Sequence, residues 1–99
     1  VLRLLAMAAK AAHDHGIWIG VCGEMASEIH LTPLLLGLGM DELSVVTAAV
    51  PRVKKAVQSL DSKECGEMAC QASGMTDPLA IEEFCRTYAK KHYSELFEL

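Results

Sequence analysis

The sequence contains no apolar run near the roughly 18 residues needed to span a bilayer, no CxxC pair and no excess of basic side chains. Each absence removes a class of function. Without a long apolar run a membrane-spanning helix is not expected. One Arg near the start is followed by Ala-rich sequence with no cleavage pattern, so a secretory leader is not expected either. The four cysteines, Cys22, Cys65, Cys70 and Cys85, have no metal-ligand spacing. His13, His15, Cys22 and His30 are irregularly spaced on different elements, so zinc is not expected. A secreted disulfide scaffold would be loopier and poorer in core, which leaves reduced thiols and a cytoplasmic location as the expectation. The net charge of −4 argues against nucleic acid or an anionic membrane as the main partner.

What is present is the composition of a folded chain. Hydrophobic residues make up 52% of the 99 and charged residues 22%, enough for one domain with a modest core. The charge is unevenly placed. Residues 1–60 carry five basic and five acidic side chains, and residues 61–99 carry four and eight.

The stretch Ile17-Trp18-Ile19-Gly20-Val21 leads directly into Cys22-Gly23-Glu24. An uninterrupted apolar run of this length predicts a strand buried on both faces, over about 17–22, of the kind found in parallel sheets. Trp18 is then a packing residue. Cys22 falls where the strand ends and the chain turns, the end at which parallel α/β proteins carry their chemistry. A second apolar run rich in β-branched residues, Leu43-Ser44-Val45-Val46, predicts another strand over about 43–46.

Helices are predicted over about 1–15, 33–38, 51–58, 62–73 and 78–95. The first has an apolar stripe of Leu2, Leu5, Ala9 and Ala12 and is stopped by Gly16. His13 and His15 sit in its last turn, where cationic groups suit the helix dipole. Thr32-Pro33 reads as N-cap and first helical residue, and Gly39 ends that helix. Asp61-Ser62-Lys63-Glu64 has the form of a capping box. Thr76-Asp77-Pro78 starts the last helix, which buries Ile81, Phe84, Cys85 and Tyr88. Cys65, Cys70 and Cys85 lie on helix faces and are expected in the core. Arg52, Lys54 and Lys55 are expected on a solvated face.

Strand, helix and strand at this spacing form a parallel βαβ unit with a right-handed crossover. Two strands are too little sheet for an independent α/β domain, so the expectation is the end of a larger (β/α) structure.

Gly20-Val21-Cys22-Gly23-Glu24-Met25-Ala26, Pro33-Leu34-Leu35-Leu36-Gly37-Leu38-Gly39, Asp41-Glu42-Leu43-Ser44 and Pro51-Arg52, with Val1-Leu2-Arg3-Leu4 and Ala11-Ala12-His13 before them, resemble the C-terminal end of Enzyme I. This is the phosphoenolpyruvate-protein phosphotransferase of the bacterial sugar-transport phosphotransferase system. The likeness is dense from residue 1 to about 58 and beyond that holds in helical layout. The Cys-Gly-Glu core is shared with pyruvate phosphate dikinase and phosphoenolpyruvate synthase, so a relative of those is the alternative. Another is an inactive structural or oligomerising fragment.

The resemblance implies that residues 1–99 are the C-terminal portion of a phosphoenolpyruvate-binding (β/α)8 TIM barrel, with its last two strand–helix units and the C-terminal helices. It implies transfer of a phosphoryl group from phosphoenolpyruvate to a protein histidine and on to a histidine-containing phosphocarrier protein. Mg²⁺ bound by residues upstream of Val1 and a homodimer are also implied. None of His13, His15, His30 or His92 matches the phosphohistidine motif. Cys22 matches the active-site cysteine, the proton donor to enolpyruvate. A thiol, with a pKa near 8.5, is mostly protonated at neutral pH and suits a general acid. Ile19, Val21 and Met25 are expected to give it apolar surroundings. Glu24, the one charged neighbour in sequence, would not depress its pKa as a nucleophile needs. Gly23 lets the backbone turn sharply and approach a substrate.

Overall fold

The computed structural model describes residues 2–98. Val1, the first residue of the expected opening helix, lies outside them.

Helix α1 (Leu2–Asp14) forms because its apolar side chains recur at helical spacing in an Ala-rich segment. Ala9 is buried and Leu2, Leu5 and Ala12 are half-buried along the expected stripe. Gly16 ends it with a φ of 70°, and the Ile17 N–H reaches back to the Ala12 carbonyl at 3.0 Å. That six-to-one bond is how a helix closes on a left-handed residue.

Strand β1 (Gly20–Cys22), helix α2 (Glu24–Ser27), helix α3 (Thr32–Gly37) and strand β2 (Glu42–Ser44) follow. The strands pair in parallel, with Gly20 opposite Glu42, Val21 opposite Leu43 and Cys22 opposite Ser44. Both are shorter than the apolar runs that predict them. Neither is buried on both faces. Val21 and Leu43 turn toward α1 and α3, where Ala9, Leu35 and Met40 form a small core with Leu5 and Ile19. Gly20, Cys22, Glu42 and Ser44 face the other way and are exposed. Trp18, expected as packing, is 67% exposed, and Val46, expected inside the second strand, is 65% exposed. The reason is that no element among the described residues covers that side of the sheet.

A single 3-10 turn (Thr47–Ala49) leads into α4 (Val50–Gln58), then α5 (Ser62–Ser73) and α6 (Pro78–Tyr93), and a 3-10 segment (Ser94–Glu98) completes the order. The last helix is thus α-helical to Tyr93 and tightens beyond it. Asp77 caps α6, its Oδ1 accepting from the Leu79 N–H at 3.1 Å. Two expected caps differ. Thr32 is the first helical residue, with Leu31 in the cap position, and it is buried. Asp61 occupies the cap position of α5 but its side chain makes no capping bond.

The helical layer has two buried clusters. Leu34, Met68, Ala69, Ala72 and Cys85 join α3, α5 and α6. Ile29, Val53, Ala56, Ala89, Tyr93 and Leu96 join α4 and α6 to the loop before α3. Tyr93 is fully buried and its hydroxyl donates to the Ile29 carbonyl at 2.6 Å. The Thr32 hydroxyl stands beside that phenol, yet Oγ1 meets no hydrogen-bond geometry. Arg52 is half-buried, contrary to the expected solvated face, and its Nη2 donates to the Leu96 carbonyl at 3.1 Å. Cys65 and Cys85 are buried as expected, whereas Cys70 is exposed on the outer side of α5.

His30 is 7% exposed in the turn before α3. Its Nε2 lies 3.4 Å from a Glu28 oxygen and 3.7 Å from a Glu82 oxygen. Burial lowers its pKa from the ordinary imidazole value and the Arg86 guanidinium acts in the same direction, while Glu28 and Glu82 oppose them. With the folded value below the unfolded one, stability is whole above the unfolded pKa. It is lost as pH falls through the folded one. The thermal midpoint is therefore expected to decline on acidification from pH 7 to 5, beginning near the unfolded imidazole value of about 6.5. His30→Gln flattens that decline. Circular dichroism melts across the range check it, and an unchanged slope in the variant refutes it.

Candidate functional site

Cys22 is the last residue of β1, and its thiol is exposed. The strand ends there because Gly23 takes a φ of 92° and a ψ of −161°. Side-chain-bearing residues rarely adopt that backbone. A Cβ at Gly23 would have nothing within 4 Å, so the requirement is conformational, and the backbone there is open to approach. Glu24 then opens the short helix α2. Among the three apolar residues expected around the thiol, Ile19, Val21 and Met25 pack toward α1 and α3. They support the strand from behind and leave the thiol in the open.

The register sets Ser44, the last residue of β2, beside Cys22. One layer back along the strands, Gly20 faces Glu42. A Cβ on Gly20 would lie 3.1 Å from the Glu42 Cβ and 3.2 Å from its Oε1. The absence of a side chain at Gly20 is what admits the Glu42 carboxylate over the sheet. Neither Ser44 nor the Gly20–Glu42 layer was predicted as part of the site. Sequence alone shows two strands but not which residues face each other across them.

The opposite end of the sheet is tied down. Asp41 Oδ2 accepts from the Ile19 N–H at 3.0 Å and pairs with His13 Nε2 at 2.8 Å. One carboxylate thus joins the end of α1 and the starts of both strands. The His13 hydrogen bond, followed by the Ile19 N–H, lowers the pKa of Asp41. At the finishing end, Ser27 Oγ accepts from the Val46 N–H at 3.4 Å. His13, expected near the helix dipole, serves this tie. His15 Nδ1 meets the Ala11 carbonyl at 2.8 Å, and the structure does not bring His13, His15, Cys22 and His30 together. Among the described residues no group of three His, Cys, Asp or Glu side chains is placed to hold a metal ion. Among the described residues no helix is long and apolar enough to cross a membrane.

An exposed thiol at the finishing end of a parallel strand, after a glycine-dependent turn, can exchange a proton with a ligand lying over the sheet. Comparison with known proteins fixes the family around this geometry. The description "PEP-utilising enzyme, PEP-binding domain" matches residues 1–62. The chain belongs to that family.

Relatives of this PEP-binding domain are of two kinds. The chain is 49% identical over 81 residues to a multiphosphoryl transfer protein of Escherichia coli O6:H1, which covers 82% of this chain and 10% of the relative. It is 42% identical over 81 residues to multiphosphoryl transfer protein 2 of Escherichia coli K12, with the same coverage. To the phosphoenolpyruvate-protein phosphotransferase of Staphylococcus aureus it is 34% identical over 90 residues, 91% of this chain and 16% of that protein. The chain therefore spans a small part of the length of the relatives it matches.

Proposed function

We propose that this PEP-binding chain works within a phosphoenolpyruvate-protein phosphotransferase, and that Cys22 is the proton donor to the enolate of pyruvate. The observation that carries the reading is the exposed thiol at the finishing end of β1, in a chain of this family. In this reading residues 1–99 are the C-terminal portion of a (β/α)8 barrel. Its support is the division of the sheet, with Val21 and Leu43 against helices and Gly20, Cys22, Glu42 and Ser44 uncovered. Barrel strands likewise carry helices outside and chemistry at the C-terminal end of the inner face.

The step assigned to Cys22 balances simply. Transfer of the phosphoryl group to a protein histidine leaves the enolate of pyruvate. The S–H bond of Cys22 then breaks as a C–H bond forms at the methylene carbon. The carbon–carbon double bond becomes single, the enolate oxygen becomes the carbonyl of pyruvate, and the electron pair stays on sulfur. A positioned acid of this kind contributes on the order of 10² to 10⁴ in rate. Gly23 is assigned a substrate contact, because its backbone is open and carries no side chain to obstruct a ligand. The phosphoryl group goes onward to a histidine-containing phosphocarrier protein, and the working enzyme is a homodimer.

The Mg²⁺ implied by the resemblance is assigned to residues upstream of Val1. The open face beside Cys22 offers one strand carboxylate, Glu42, and no group of ligands converges there among the described residues.

The test is a chimera in which this chain replaces the matching 90-residue stretch of the Staphylococcus aureus relative. Supplied with phosphoenolpyruvate, Mg²⁺ and the phosphocarrier protein, the chimera is expected to release pyruvate and phosphorylate the carrier. A folded chimera that binds phosphoenolpyruvate and forms no pyruvate overturns the reading.

A further inference from the structure

The face of the sheet that carries Cys22 also carries Ser44. Paired residues of neighbouring parallel strands project to the same side, with the strands about 4.8 Å apart, and Cys22 is paired with Ser44. Both are exposed and each is the last residue of its strand. Rotation about χ1 therefore brings hydroxyl and sulfur within reach of a hydrogen bond. We infer that Ser44 is a positioning residue for Cys22, its hydroxyl donating a hydrogen bond to the thiolate left when the proton has gone. The inference rests on the reading of Cys22 as proton donor.

The chemistry favours a hydroxyl at this place. Toward the neutral thiol it accepts, holding the S–H in one direction; toward the thiolate it donates. Hydrogen bonds to an ionised partner are roughly twice as strong as neutral ones, so the hydroxyl favours the charged state over the neutral one. The charged side chains of the adjoining elements do not supply this help. Glu24 opens α2 just after the turn, and Glu42 lies on the same face one layer back. Both are anionic and oppose a thiolate, and β1, α2 and β2 contain no cationic side chain. Ser27, the other hydroxyl of these elements, already receives the Val46 N–H.

The experiment reads the thiol directly. In a Cys70→Ser background Cys22 is the one exposed cysteine, with Cys65 and Cys85 buried. Alkylation of Cys22 by iodoacetamide is followed by mass spectrometry from pH 6 to 11 in this chain and in its Ser44→Thr and Ser44→Val variants. The two variants have nearly the same shape and differ in the hydroxyl. Ser44→Val is expected to slow alkylation at pH 7 by roughly three- to tenfold, the worth of one hydrogen bond. The deficit closes at the alkaline end of this range, and Ser44→Thr reacts like the parent. Equal rates for the Thr and Val variants at pH 7 overturn the inference. So does a Val deficit of the same size at every pH, which would make Ser44 a steric element. The measurement contains no phosphoenolpyruvate, so a wrong assignment of the reaction to Cys22 leaves its outcome untouched.

Discussion

Cys22→Ala, introduced into the Staphylococcus aureus chimera, is expected to cut pyruvate formation by on the order of 10² to 10⁴. The loss belongs in the protonation step and not in binding. Alanine keeps the strand and the turn, because Cys22 is exposed and its side chain packs against no buried cluster. The Michaelis constant for phosphoenolpyruvate should change little, the pattern left when an interaction made only in the transition state is removed. A second readout isolates the carbon chemistry. With the protein held in its phosphorylated state, the methyl protons of pyruvate are expected to exchange with deuterated solvent through the reverse of the proposed step. Cys22→Ala should slow that exchange in proportion. Pyruvate release and methyl exchange at the parent rates would remove Cys22 from the reaction and leave the family assignment intact.

Gly37→Ala should cost about 3 kcal/mol of stability, on the order of 15 °C in thermal midpoint for a chain of this size. Gly37 is the last residue of α3, where that helix lies against α5. A Cβ there would run into the carbonyl of Cys65 and stand 2.8 Å from the Cβ of Ala69. The obstacle is helix backbone and a fully enclosed methyl, neither of which can swing aside. Relief requires α3 and α5 to separate, which also loosens Leu34, Met68 and Ala72 in the cluster between them. Gly66, on α5 itself, supplies the contrast, since a Cβ there meets nothing within 4 Å. Gly66→Ala gains up to about 1 kcal/mol from helix propensity. Urea unfolding of the two variants reads both effects. A Gly37→Ala variant as stable as the parent would mean that the helices do not meet as described.

The elements that could be read from the sequence are those specified by their own residues. Gly16 and Gly39 stop helices because the chain there takes φ values of 70° and 98°, and Asp77 caps because its carboxylate reaches a neighbouring N–H. Cys22 could be placed at a strand end because the apolar run and the Cys-Gly-Glu turn are contiguous. What escaped prediction depends on partners distant in sequence. Burial of both strand faces follows from composition only if something covers both, and here Trp18 and Val46 stand in the open. Cys70 sits on a helix whose buried side is settled by α3 and α6, one position round from Ala69. The pairing of Cys22 with Ser44, and the seat of Glu42 over Gly20, need the register of two strands joined through two helices.

The tie at Asp41 has a consequence for how this domain can change over time. The strands are clasped at their starts, where one carboxylate fastens both to the end of α1, and are nearly unencumbered where they finish. Substitutions at the finishing edge, around Cys22 and Ser44, therefore meet little opposition from packing. Those at the clasp disturb three elements at once. A lineage built on this scaffold can try new side chains at that open edge while its foldability is guarded at the other end.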